Sequence, residues 1–193
     1  MGEITQAGKK FANRLHQLIG GEFSVFSYGD ERGRSTVDIL RCIGGPSPDI
    51  TTYVTLDLHK HANSVGKPPK DIRVDLMGMC YGKPGEFGEA LSTAAFCIIN
   101  SRWPCFPGAI FPDIVSMHKI SRTMAHVMFA PPVPWDRELG VVKVGRQNVH
   151  CLSMIPISES EYRFAEKKGS DALEEKLAKE KVDVADLNRR AVV

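Results

Sequence analysis

MIPISESEYRFAEKKGSDALEEKL, residues 154–177, is the most heavily punctuated stretch of the chain. A strand-like run, VHCLSMIPI (149–157), ends in Ile155-Pro156-Ile157. Ser158 is followed three residues later by Glu161, the capping-box spacing in which each side chain satisfies an orphan amide at a helix start. Lys167 and Lys168 fall in the last turn, where the helix dipole favours positive charge. Gly169 suits the position just past a helix end. Ser170 then reads as the cap of a second helix, with Asp171 and Glu174 in its first turn and Leu173 and Leu177 on one face. The spacing predicts a helix pair over 158–180. Each of these residues has a folding role and none needs a catalytic one, so the stretch reads as scaffold.

Working outward, the other elements follow from period and punctuation. Phe11, Leu15, Leu18 and Ile19 share a helical face, Thr5 stands where a cap belongs and Gly20-Gly21 stop the helix, which is predicted over 5–19. FSVFSYG (23–29) alternates as a half-buried strand. STVDILRCIGG (35–45), the β-branched DITTYVTLDLHKHA (49–62) and DIRVDLMGMCYG (71–82) are read as three further strands. NSVGKPPKD (63–71) is a turn-rich loop. GEFGEALSTAAFCIINSRW (85–103) switches to helical period, and Phe96 and Ile99 widen its apolar arc, so this helix is expected to be covered on most sides. RWPCFPGAIFPD (102–113) is broken by three prolines. HVMFAPPVPW (126–135) is a strand running into prolines.

A length of 193 residues suits one domain, 1–193, with 42% apolar and 25% charged residues, an ordinary globular composition. The net charge is +2 and the basic residues cluster no further than adjacent pairs (Lys9-Lys10, Lys167-Lys168, Arg189-Arg190), not as the stripe that a nucleic-acid binder shows. No run of about 18 apolar residues predicts a membrane span, and the amphipathic N-terminus lacks the apolar core of a signal peptide. Five widely spaced cysteines with no CxxC point to reduced thiols and a cytoplasmic protein.

Several stretches invite a chemical reading. His59 and His61, in HKH, would share one side of a strand, with Asp57 on the same face. Such a set could hold a metal, but two strand histidines are a weak signal and no third ligand is evident beyond Asp57. Cys151 and His150, as strand neighbours, point to opposite faces. A distant pairing of Cys80 or Cys97 with His118 or His126 stays open, although no nucleophile signature surrounds either thiol and buried structural cysteine is the expectation. No GxSxG elbow occurs. YGKPGEFGEA (81–90) carries glycines before a helix but lacks the GK[ST] ending, and its acids oppose an anion. The remaining signal is apolar. Trp103, Phe106, Ile110 and Phe111 sit among prolines, and Trp135 follows three more. Aromatics so placed anchor protein partners when they stay exposed.

In order along the chain, TYVTLDL (52–58), IRVDLMGMC (72–80), HVMFAPPVPW (126–135), VHCLSMIPISESEYRFAEKKGSDALEEKL (149–177) and VADLNRRAV (184–192) resemble the suppressor-of-fused domain family. The first 50 residues match by element order only, and Asp57-Leu58-His59 stands where members often carry Gly-Leu-Ser. The resemblance implies an α/β sandwich with a mixed, largely antiparallel sheet and helices packed on its faces. It also implies a non-enzymatic, cofactor-free binding protein. Animal relatives with two domains hold a transcription-factor peptide as an added strand; this chain resembles one of those domains. Single-domain bacterial relatives imply an immunity protein that blocks a cognate toxin. A regulatory adaptor using strand addition and a small metal- or thiol-dependent enzyme are the alternatives. The residues expected to meet the protein partner are Tyr53, Asp57, His59 and His61, with Trp103, Phe106, Phe111 and Trp135. Oligomeric state is left open.

Overall fold

The computed structural model describes residues 6–82, 85–133 and 135–193. The order is α1 (Gln6–Ile19), β1 (Glu22–Gly29), β2 (Thr36–Ile43), β3 (Ile50–Thr55), a 3-10 turn at Leu58–Lys60, then β4 (Ser64–Val65), β5 (Lys70–Asp71) and β6 (Arg73–Tyr81). There follow α2 (Gly85–Ser101), β7 (Ile110–Phe111), α3 (Ile114–His118), β8 (His126–Ala130), α4 (Asp136–Leu139), β9 (Val142–Val144), β10 (Gln147–Ile157), α5 (Glu159–Lys168) and α6 (Ser170–Lys179). The expected cap Thr5, and Pro84 and Pro134 of the two punctuated segments, lie outside the described residues.

Among the described residues, eight strands form one sheet in the order β1-β2-β3-β6-β10-β8-β7, with β9 also on β10, and β4–β5 make a separate two-stranded ribbon. All pairings are antiparallel except β10 with β6, where Val149 to Ser153 run beside Arg73 to Met77. The mixed, largely antiparallel sheet matches the architecture expected from the sequence.

Strand alternation sends side chains into two different layers. Val37, Ile39, Tyr53, Val74, Leu76 and Leu152 join the α2 residues Phe87, Leu91, Ala94 and Ile98 on one face. Leu40, Cys42, Val54, Met77, Val149 and Cys151 join Phe11, Leu15 and Ile19 of α1 on the other. A third cluster seats Ala165, Leu173 and Leu177 of the C-terminal helix pair on Met128 and Ile157. The glycines near α2 serve this packing. A Cβ on Gly88 would stand 2.5 Å from the Tyr28 hydroxyl and 3.2 Å from the Tyr53 ring, so only glycine lets α2 lie this close to the sheet.

The C-terminal pair forms as the spacing predicts, with one correction. Ser158 accepts from the Glu161 amide and Glu161 accepts from the Ser158 amide, completing the capping box. Ser170, however, is the first residue of α6 and not its cap; Gly169, at φ 93°, closes α5 and opens α6. The third predicted strand also stops early, at Thr55 rather than 62. Asp57 ends it by turning its carboxylate onto the Asp38 amide at 3.0 Å, and the chain then winds into the 3-10 turn. Strand β1 is exposed along most of its length rather than half-buried.

Candidate partner-binding site

Trp103 and Phe106 emerge from the irregular segment after α2. The helix ends as Arg102 takes a left-handed φ of 57°, and the Trp103 amide donates back to the Cys97 carbonyl at 3.1 Å. Cys105 is buried and held by one side chain. The Asn63 amide donates to the Cys105 carbonyl at 2.7 Å and accepts from the Cys105 amide at 2.9 Å. An asparagine side chain thus replaces a strand neighbour for a segment that prolines keep out of any ladder. Beyond it, Gly108 donates to the Phe129 carbonyl at 2.7 Å, tying the segment to β8.

With Cys105 pinned inward, the residues on either side of it face outward. Trp103 is 37% exposed and Phe106 38%. Trp103 meets Phe111 edge-on at 5.0 Å, and Phe111 meets Phe129 at 4.8 Å, so the surface indole rests on an aromatic column reaching the core. Beside the patch, Pro107 helps line a cleft of about 460 Å³ with Pro131, Pro132, Arg137, Val141 and His150. The second proline-rich segment therefore contributes its prolines to this region.

The other expected contact residues are placed differently. Tyr53, Phe111 and Trp135 are core residues, at 1%, 2% and 7% exposure. Tyr53 packs on Phe87 under α2, and Trp135 lies in the α1-side cluster. Proline punctuation marks irregular backbone but does not say on which side of it an aromatic ring lies. His59 is buried as well, its Nδ1 2.6 Å from Asp75 Oδ2. Asp75 Oδ1 accepts from the Thr55 hydroxyl at 2.7 Å, and Thr55 Oγ1 accepts from the Leu76 amide. Burial drives the Asp75 carboxyl upward in pKa, an effect that hydrogen bonds from His59 and Thr55 oppose. His61 is half-buried, and that burial lowers its pKa against the pull of Asp57. Because the 3-10 turn replaces the expected strand end, His59 and His61 share no face. Burial thus takes Tyr53, His59, Phe111 and Trp135 out of a partner's reach, whereas Asp57, His61, Trp103 and Phe106 keep some access.

No group of three or more histidine, cysteine or acidic residues positioned for a metal ion occurs among the described residues. Burial pushes the Cys42 and Cys97 thiols up to about 11 and Cys80 up to about 12, and raises Cys105 and Cys151 too. Thiols so raised are poor nucleophiles at neutral pH. No helix among the described residues is long and apolar enough to cross a membrane. Two features escaped the sequence reading: the Asn63–Cys105 link, which only the fold brings together, and the tie from Arg189 to Glu161 at 2.7 Å.

The fold is a mixed sheet with helices on its faces and an aromatic patch at its surface. Residues 33–190 match the model of the suppressor of fused protein family, and the chain belongs to that family. It is 35% identical over 190 residues to the immunity protein YqcF of Bacillus subtilis (strain 168), covering 98% of this chain and 99% of the relative. In structure it resembles the suppressor of fused homologue of Neisseria gonorrhoeae FA 1090, with a TM-score of 0.77 at 16% identity over 99% and 97% of the two chains. Against Drosophila Suppressor of Fused the TM-score is 0.56 at 13% identity, with 96% of this chain covering 51% of that one.

Proposed function

We propose that this chain is a cytoplasmic immunity protein that neutralises a cognate protein toxin by stoichiometric contact, without turnover or cofactor. Trp103 and Phe106 are its anchors, and His61 and Asp57 stand in the neighbouring loop. The observation that carries the reading is the exposure of these two rings on a backbone fixed by Asn63 and Phe129. A rigid, pre-ordered anchor loses little conformational entropy on binding. The similarity to a protein named for immunity supports the class of partner.

The test is quantitative capture from source-cell lysate on the wild-type chain and on a Trp103→Ala/Phe106→Ala variant. Anchor truncation costs about 2 kcal/mol or more, so a partner held in equimolar amount by the wild type should fall at least about tenfold on the variant. Equal capture by both proteins would place the contact elsewhere. A second reading keeps the surface and changes the act. β7 is the last strand of the sheet and lies beside the patch, so a regulatory adaptor would take a partner peptide as an added strand there.

A further inference from the structure

The opposite edge of the sheet, β1, lacks most of the usual protection. Isolated edge strands are kept short, twisted by bulges, or marked with lysine or proline to stop a second strand from pairing with them. β1 reads EFSVFSYG, eight residues with Glu22 as its one charge, and it pairs with β2 without a bulge. Phe23 is 48% exposed, Val25 36% and Phe26 38%. Both faces carry a ring held in place: His16 lies 4.4 Å from Phe23, and the Arg41 guanidinium sits 4.4 Å over Phe26.

The register says which backbone groups face outward. The Asp30 amide donates to the Ser35 carbonyl directly opposite, so the even-numbered residues of β1 bond to β2. Antiparallel ladders alternate, which turns the N–H and C=O groups of Phe23, Val25, Ser27 and Gly29 toward the free edge. Among the described residues no other strand lies along that edge.

We infer that this edge is the interface of a two-fold dimer, in which β1 pairs antiparallel with β1 of a second copy, centred on Val25. The strand is complementary to itself in that register. Val25 faces its own copy and Phe23 faces Ser27 of the partner, which places three of the four outward-facing residues in bonded pairs within β1 and pairs ring with small side chain. Ser24 faces Phe26 on the other side of the sheet. Glu22 comes opposite Tyr28, so no charged residue of β1 meets a like charge. Shifting the centre to Phe26 would pair Phe23 with Gly29 and Val25 with Ser27, but it would set Glu22 against Asp30, like charge against like. Interfaces of this kind are isologous and close on themselves. This edge is distinct from the patch around Trp103, which lies by β7, so the dimer stands or falls apart from the proposed function.

The test uses light scattering and sedimentation of the full chain over a concentration series. The wild type should be a dimer. Val25→Lys and Val25→Glu each place like charges directly opposite in this register, so each should weaken the dimer at least about tenfold, and mixing the two variants should restore it. The wild-type amides of Phe23, Val25 and Ser27 should also exchange more slowly as concentration rises, which needs no variant. A monomer at every concentration overturns the inference. So does a dimer indifferent to both charges, or one that the mixture fails to restore. A monomeric wild type that loses its captured protein partner on Val25→Lys would likewise overturn it and assign the edge to a partner's strand.

Discussion

Asp75 is fully buried and has two donors, His59 and Thr55, one on each carboxylate oxygen. Asp75→Ala leaves both donors facing apolar surroundings, and removing one member of a buried polar pair costs about 3 kcal/mol; urea unfolding should report that loss. Because burial raises its pKa, its contribution to stability is present below the unfolded value and is lost as pH rises through the folded one. Glu161 has the opposite sign. Burial alone would raise its pKa, but hydrogen bonds from Arg189 and the Ser158 amide outweigh that and hold it low. Its stabilisation is therefore complete above the ordinary glutamate value of about 4.3 and is lost as pH falls through the lower folded value. Glu161→Gln should flatten the acid limb of a melting-temperature series, and an unchanged limb would remove Glu161 from this role. At this scale the sequence was a poor guide. The strand reading of DIRVDLMGMCYG did not single out Asp75, and the histidine pair looked like a shared face until Asp57 turned the chain.

Among the elements, α5 was legible because its signals are local. Ser158, Glu161 and Gly169 lie within one helix length and satisfy backbone groups whatever else the chain does. Ser158→Ala should cost about 1 kcal/mol of stability, measured by thermal unfolding. The start of α6 was misread because one glycine serves both helices, which a cap pattern alone does not reveal. The position of α2 depends on Gly88. Gly88→Ala puts a methyl within 2.5 Å of the Tyr28 hydroxyl, and the expected loss is about 1–3 kcal/mol, the usual cost of overpacking. β1 was legible as a strand but not as an exposed one, because alternation fixes which residues share a face and not whether a helix covers that face.

For the whole molecule, period-two patterning accounts for both layers, since each central strand sends one set of side chains to α2 and the other to α1. The order of the strands and the parallel β6–β10 pair carry no local signal, and the family resemblance supplied the architecture. The exposed aromatic patch was half legible: proline punctuation marked the segment of Trp103 and Phe106, but Asn63 and the Phe111–Phe129 column beneath it come from distant parts of the chain. The molecule that results is a rigid sheet with a supported aromatic patch at one edge and an unguarded strand at the other. The central claim is that it acts by occupying a partner. The measurement that tests this most directly is calorimetric titration of the captured partner, with its toxic activity read on the same mixtures. The account predicts an equimolar end point at which activity disappears, and binding at least about tenfold weaker for Trp103→Ala/Phe106→Ala. Loss of activity at a small fraction of an equivalent, or equal affinity for the variant, would contradict it.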